Sequence, residues 1–255
     1  MKIRIGTRGS KLALAQAEEV KRFLQRTSPE VSTEVVIIVT TGDKIQDRNL
    51  YDIGGKSLFT KEIEEALFED KIDIAVHSLK DMPAKLPAGL EISCVLPRED
   101  VRDAFLSERV KSFMELPSGA VLGTSSVRRA SQILRNRPDL KIVEFRGNVT
   151  TRIDKLRNKI ADATILAMAG LKRINMVSEI VTPIGTDIIL PAVAQGAIGI
   201  ESMEGNHKIK EVLDKMNHGR HCVFLMHTHL VFVTKYRREV FTKEILNDLP
   251  IIFAN

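Results

Sequence analysis

Short apolar, β-branched runs alternate with amphipathic stretches along most of this chain, and that alternation limits its fold more than any other feature. Lys2 to Thr7 reads as a strand, followed by an amphipathic helix from Ser10 to Gln25 in which Leu12, Ala15, Ala17, Val20, Phe23 and Leu24 form one stripe. Glu34 to Thr40 is a continuous β-branched run, the pattern of a strand covered on both faces. Leu58 to Phe68 has helical periodicity, and Ile72 to Val76 is another strand. Strands follow near Ala120–Leu122, Lys141–Phe145 and Ala163–Ala167, with helices at Val127–Asn136 and Val149–Asn158. Repeated βα alternation predicts an α/β fold with parallel, doubly wound sheets and helices on both faces. In such folds ligands gather at the carboxyl ends of the strands.

A chain of 255 residues has room for two compact domains. Net charge is +5, but residues 219–255 hold five Lys/Arg and three Asp/Glu, leaving about +3 on the first 218. The body is near balance, so its charge argues for no nucleic-acid partner. No apolar run reaches the roughly 18 residues of a membrane span, and Met1-Lys-Ile-Arg-Ile opens without a signal-peptide core. The expectation is a cytoplasmic monomer. Cys94 and Cys222 lie far apart with nothing framing them as a disulfide or metal site.

Polar runs fall where strands end. Asp73-Ile-Ala-Val-His-Ser-Leu-Lys-Asp-Met-Pro83 carries Lys80 and Asp81, and Gly123-Thr-Ser-Ser-Val-Arg-Arg129 carries Thr124, Ser125, Ser126, Arg128 and Arg129. Phe145-Arg-Gly-Asn-Val-Thr-Thr-Arg152 adds Arg146 and Arg152. One carboxylate among several guanidinium groups suits a polyanionic ligand with a positively charged reaction centre. Thr124, Ser125 and Ser126 stand where a helix begins, so hydroxyls and backbone N–H groups converge there on an anion site. Taken alone, Asp81 also fits a helix cap or turn before Met82-Pro83, and the Arg128–Arg129 pair and Arg173 fit solvated surface. Gly54-Gly-Lys56-Ser57 lacks the upstream glycine of a nucleotide-binding loop. His77 reads as a satisfied buried histidine and Cys94 as a small core residue.

These three runs, with Gly6-Thr-Arg-Gly-Ser10, Gly54-Gly-Lys56 and Leu190-Pro-Ala-Val-Ala-Gln-Gly196, resemble the porphobilinogen deaminase (hydroxymethylbilane synthase) family over residues 1–218. The resemblance implies two periplasmic-binding-protein-like domains with a cleft between them. They comprise residues 1–97 plus 198–218 and residues 98–197, the chain crossing near 96–100 and returning near 196–200. It implies a transferase of heme biosynthesis that condenses four porphobilinogen molecules into linear hydroxymethylbilane with release of ammonia. It also implies a covalently held dipyrromethane cofactor and no metal. By residue, it makes Asp81 catalytic and gives Lys80, Thr124, Ser125, Ser126, Arg128, Arg129 and Arg146 to the cofactor. Substrate falls to Arg8, Ser10, Lys56, Arg146, Arg152 and Gln195.

Residues 219–255 break the pattern. They hold five of the twelve Phe/Tyr residues and three of the six histidines. The run His221 to Phe241 resembles the first strand of insertion-sequence transposases of the His-hydrophobe-His class. Cys222 lacks the flanking glycine and following proline of the family's cofactor cysteine. The pair His227 and His229 precedes the segment where that transposase class binds metal, so no metal is expected there. The tail thus reads as an unrelated ending in place of the family's third, cofactor-anchoring domain. The rival expectation is a non-catalytic remnant that binds acidic pyrroles at most.

Overall fold

The computed structural model describes residues 1–44, 58–178 and 180–218. The expectations for Lys56 and its glycines, for Cys222, and for His227 and His229 fall outside the described residues.

Two five-stranded sheets organise the chain. The first contains β1 (Lys2–Thr7), β2 (Ser32–Ile37), β3 (Ile74–Ser78), β4 (Leu90–Val95) and, late in sequence, β10 (Ile198–Met203), in the order β2-β1-β3-β10-β4. The second contains β5 (Asp103–Leu106), β6 (Val121–Gly123), β7 (Lys141–Val143), β8 (Ala163–Ala167) and β9 (Val181–Pro183), in the order β7-β6-β8-β5-β9. Helices α1 (Lys11–Thr27), α2 (Thr41–Lys44), α3 (Lys61–Phe68) and α7 (His207–His218) alternate with the first set of strands. Helices α4 (Val127–Asn136), α5 (Val149–Arg157) and α6 (Met168–Arg173) alternate with the second.

The sheets are not wholly parallel, which corrects the sequence expectation. β10 runs antiparallel to β3 and β4, and β5 runs antiparallel to β8 and β9. Both reversed strands follow a passage from one sheet to the other. A parallel return needs a crossover helix to carry the chain back to its starting end. Residues 96–102, which lead from β4 to β5, contain no helix.

β2 also departs from expectation. It lies at a sheet edge, with Ile37 56% exposed, so its β-branched run reflects strand preference and not two-sided cover. Otherwise both faces of each sheet are packed. Val20 and Leu24 of α1 and Leu213 of α7 meet Ile3, Ile5 and Ile200 on one face of the first sheet, while Ile63 and Leu67 of α3 close the other. In the second sheet Ile133 of α4 packs with Phe105 and Leu122, and Ile153, Leu156 and Leu171 cover the opposite face. Fully buried side chains such as Phe105 and Ile5 each contribute about 1.5–3 kcal/mol by leaving water.

Side-chain caps start three helices at the carboxyl ends of strands. Ser10 Oγ accepts from the Ala13 N–H, Ser126 Oγ from Arg129, and the Asn148 side chain from Thr151. Each satisfies an N–H that the helix leaves open, and so fixes where the strand-to-helix turn points.

Candidate functional site

β3 delivers the central carboxylate. Its apolar residues Ile74, Ala75 and Val76 are buried, and after Ser78 the chain makes a single 3-10 turn, Leu79–Asp81. Leu79 N–H donates to Ala197 O at 3.1 Å and Met82 is buried, so this turn is tied down at both ends. Asp81 is exposed and lines a cavity of about 80 Å³ together with Arg8, Ser10, Phe59 and Ser78. Below it, Gln16 Nε2 donates to Ser78 Oγ at 2.9 Å.

Arg8, on the β1–α1 turn, is fixed on two sides. Its Nε donates to Asp43 Oδ1 at 3.1 Å, a second donor reaches the same carboxylate, and its guanidinium lies 4.3 Å from the centre of the Phe59 ring. Thr40 Oγ1 donates to Asp43 Oδ2 at 2.8 Å, so that carboxylate is held in turn.

From the second sheet come the other cations. After β6, Thr124 is buried, Ser125 Oγ accepts from Phe145 N–H at 2.9 Å, and Ser126 caps α4. The hydroxyls expected to meet an anion therefore build the turn that presents Arg128 and Arg129. Both guanidiniums converge on Asp103, the first residue of β5. Arg128 Nη2 donates at 2.7 Å, while Arg129 donates from Nη2 at 2.6 Å and from Nε at 3.1 Å. Arg129 Nη1 also donates to Ile165 O at 3.0 Å. Beyond β7, Arg146 pairs with Glu144, and Arg152 Nε donates to Gly147 O at 2.8 Å.

The charges of the two sheets act on one another. Burial, with help from Arg129 and Arg128, pulls the Lys80 ammonium down to about 8 against the opposing pull of Asp81 and Asp103. Burial likewise lowers Arg152 to about 10, with Arg129 and Arg146 adding repulsion and Asp81 opposing. Arg128 is lowered by burial too. The site thus crowds cations around Asp81 and disfavours their charge, and a bound anion would relieve that crowding.

Several residues sit differently from their sequence expectation. Gln195 is fully buried, and its Nε2 donates to Asp103 Oδ1 at 3.0 Å and to Val101 O at 2.8 Å. Arg173, open to reading as solvated surface, is buried in an ion pair with Glu19. His77 is buried, with Nε2 3.1 Å from Glu201 Oε2. Cys94 is in the core. Asp103 and Asp43 were not singled out from sequence, because no motif marks an acid that faces its arginine across 25 or 35 residues.

No helix among the described residues is long and apolar enough to cross a membrane, and no metal-holding cluster of His, Cys, Asp or Glu occurs among them. By fold, the chain is similar to a nutrient-binding protein from Burkholderia cenocepacia bound to methionine, at 14% identity and a TM-score of 0.52 over 86% of this chain and 93% of that one. It is similar also to a putative methionine-binding lipoprotein from Bacillus subtilis, at 14% identity and a TM-score of 0.53 over 86% and 91%. At that identity the likeness speaks for a two-domain α/β fold alone. Sequence relatives are nearer. Porphobilinogen deaminase of Paracoccus denitrificans is 57% identical over 78% of this chain and 64% of its own length. The chloroplastic porphobilinogen deaminase of rice, Oryza sativa subsp. japonica, is 54% identical over 85% and 62%. The chain therefore spans somewhat over six-tenths of the length of these relatives. Residues 3–211 match the family described as "Porphobilinogen deaminase, dipyromethane cofactor binding domain". With Lys80-Asp81, the Ser126-capped arginine pair, Arg146 and Arg152 gathered at the strand ends, the chain belongs to the porphobilinogen deaminase family.

Proposed function

We propose that this chain carries the binding and reacting surface of a hydroxymethylbilane synthase, which condenses four porphobilinogen molecules with loss of ammonia. The observation that carries this reading is the electrostatic one. Asp81 is the carboxylate that opposes the lowering of both Lys80 and Arg152, amid a set of cations suited to acetate and propionate arms. On this reading Asp81 accepts the pyrrole N–H and balances positive charge on the ring. Lys80, Thr124, Ser125, Ser126, Arg128, Arg129 and Arg146 hold the cofactor, its carboxylates meeting the arginine pair that the Thr124–Ser126 turn presents. Arg8, Ser10, Lys56, Arg146 and Arg152 hold those of the substrate, with Gln195 acting through Asp103 and the arginine pair. The dipyrromethane cofactor supplies the carbon nucleophile when bound.

The carboxylate side of the site fits such a cofactor. The anchoring thiol does not appear among the described residues, where the one cysteine, Cys94, is buried in the core. The domain limits 1–97 plus 198–218 and 98–197, a monomeric state without nucleic acid, and a cytoplasmic location belong to the same proposal. So does the transposase-like origin of residues 219–255. A non-catalytic chain that binds acidic pyrroles is the second reading, favoured by the sequence around Cys222, which lacks the glycine and proline of the family's cofactor cysteine.

Calorimetric titration with porphobilinogen, an assay for hydroxymethylbilane and intact mass separate the two. Binding with turnover, and a mass increment of two linked pyrroles, support the synthase. Binding at bare-polypeptide mass without turnover supports the second reading. Absence of binding, or an Asp81→Asn variant that turns over within a few-fold of the parent, overturns the assignment of Asp81.

A further inference from the structure

Asp103 belongs to none of the polar runs, yet it is the carboxylate on which both guanidiniums of the Arg128–Arg129 pair converge. It is fully buried at the start of β5, and it accepts from three different side chains. Oδ2 takes Arg128 Nη2 at 2.7 Å, and Oδ1 takes Arg129 Nη2 at 2.6 Å and Gln195 Nε2 at 3.0 Å. Burial alone pushes its carboxyl up, but Arg129 and Arg128 outweigh that and hold it below the usual carboxylate range. A buried charge persists only when partners replace the lost water, and here one carboxylate stands against two guanidiniums.

The third partner gives the cluster a second connection. Gln195 lies on the segment returning to the first sheet, and Asp103 ends the segment leaving it. These two passages are bonded along their length. Leu96 N–H donates to Ile198 O at 3.0 Å, Arg98 Nε to Gln195 O at 2.8 Å, and Glu99 N–H to Gly196 O at 3.1 Å. Gln195 Nε2 adds Val101 O at 2.8 Å.

We infer that Asp103 is a positioning residue that locks the arginine pair in register against the paired crossovers joining the two sheets. The inference rests on the proposed carboxylate-binding role of that pair. A planar guanidinium recognises a carboxylate best when its free edge is already aimed. Asp103 engages one edge of each guanidinium, Leu190 O and Ile165 O hold further donors, and the remaining N–H groups are presented in fixed directions. Gln195 extends the lock to the crossover, which gives this buried amide a role without direct contact to a ligand.

The test uses the full chain, uniformly labelled with nitrogen-15, and two variants, Asp103→Asn and Gln195→Met. In the parent, the Arg129 Nε–H resonance, assigned by its loss in Arg129→Lys, should persist against solvent exchange at pH 7. Asp103→Asn should erase it and weaken porphobilinogen binding at least tenfold at a temperature where the variant remains folded. Gln195→Met should keep the fold, shift that resonance and weaken binding two- to fivefold. If Asp103→Asn lowers only the melting temperature, with the resonance and the affinity within twofold unchanged, Asp103 is merely structural and the inference fails. If Asp103→Asn does not fold, Gln195→Met decides by the same two readouts. If the parent binds no porphobilinogen, the functional proposal fails, while the Arg129 resonance still decides the role of Asp103.

Discussion

Arg173 of α6 donates from Nε to Glu19 Oε2 of α1 at 2.9 Å and from Nη2 to Gly196 O at 3.0 Å. One buried guanidinium therefore joins a helix from each half of the chain to the crossover between them. Glu19→Gln should keep the geometry but remove the charge, lowering stability by about 1–2 kcal/mol, as for a hydrogen bond that loses its charge assistance. Urea unfolding followed by circular dichroism measures this, and an unchanged midpoint would show that the contact adds nothing.

Lys80 predicts a pH dependence of binding. Its folded value of about 8 lies below the ordinary 10.5. Below about 8 the ammonium is charged in both folded and unfolded chains, and the folded state bears the full cost of burying it. As pH rises from about 8 to 10.5 the folded chain releases the proton first, so this group's contribution to stability rises across that window. Anion binding changes in the opposite sense. Affinity for a carboxylated pyrrole should fall roughly tenfold per pH unit above 8, with proton uptake on binding. Calorimetry at pH 8.5 in buffers of differing ionisation enthalpy detects that uptake, and Lys80→Gln should abolish it.

Glu64 predicts a stabilising substitution. Burial raises its carboxyl above the ordinary 4.5 and nearby Glu201 adds to this, while Thr60 and His77 oppose. Among the described residues its Oε1 and that of Glu201 have no hydrogen-bond partner. Because the folded value is raised, the cost is absent at low pH and appears as pH climbs through that value. Glu64→Gln should therefore raise the melting temperature at pH 7, with parent and variant converging near pH 4. A variant that is less stable at pH 7 would mean that the charged carboxylate is favourably held.

Gly196 has no substitute. Its φ is +93°, and an added Cβ would stand 2.4 Å from the carbonyl oxygen of Glu99. That oxygen is backbone and belongs to the paired crossovers, so it has little freedom to yield. Gly196→Ala should cost about 2–4 kcal/mol from the strained backbone plus the clash, measured by thermal unfolding. A loss below 1 kcal/mol would show that the crossovers can separate without cost.

Local pattern alone determined much of this protein. Short continuous apolar runs marked β3 and β8, and the 3.6-residue period marked α1, α4 and α5, each within a few residues of where it lies. Asp81, Lys80, Arg128, Arg129, Arg146 and Arg152 lie in polar runs that local pattern places at strand ends, and the fold brings their charges to act on one another. Tertiary structure decided what local pattern does not encode. It reversed β5 and β10, made β2 an edge strand, and buried Gln195 behind the arginine pair. It also chose Asp103 as the acid that holds that pair. An acid at the head of a short strand looks the same in sequence whether it meets solvent or two guanidiniums. Burial made the difference, since a carboxylate removed from water must find its donors wherever the fold supplies them, here 25, 26 and 92 residues away.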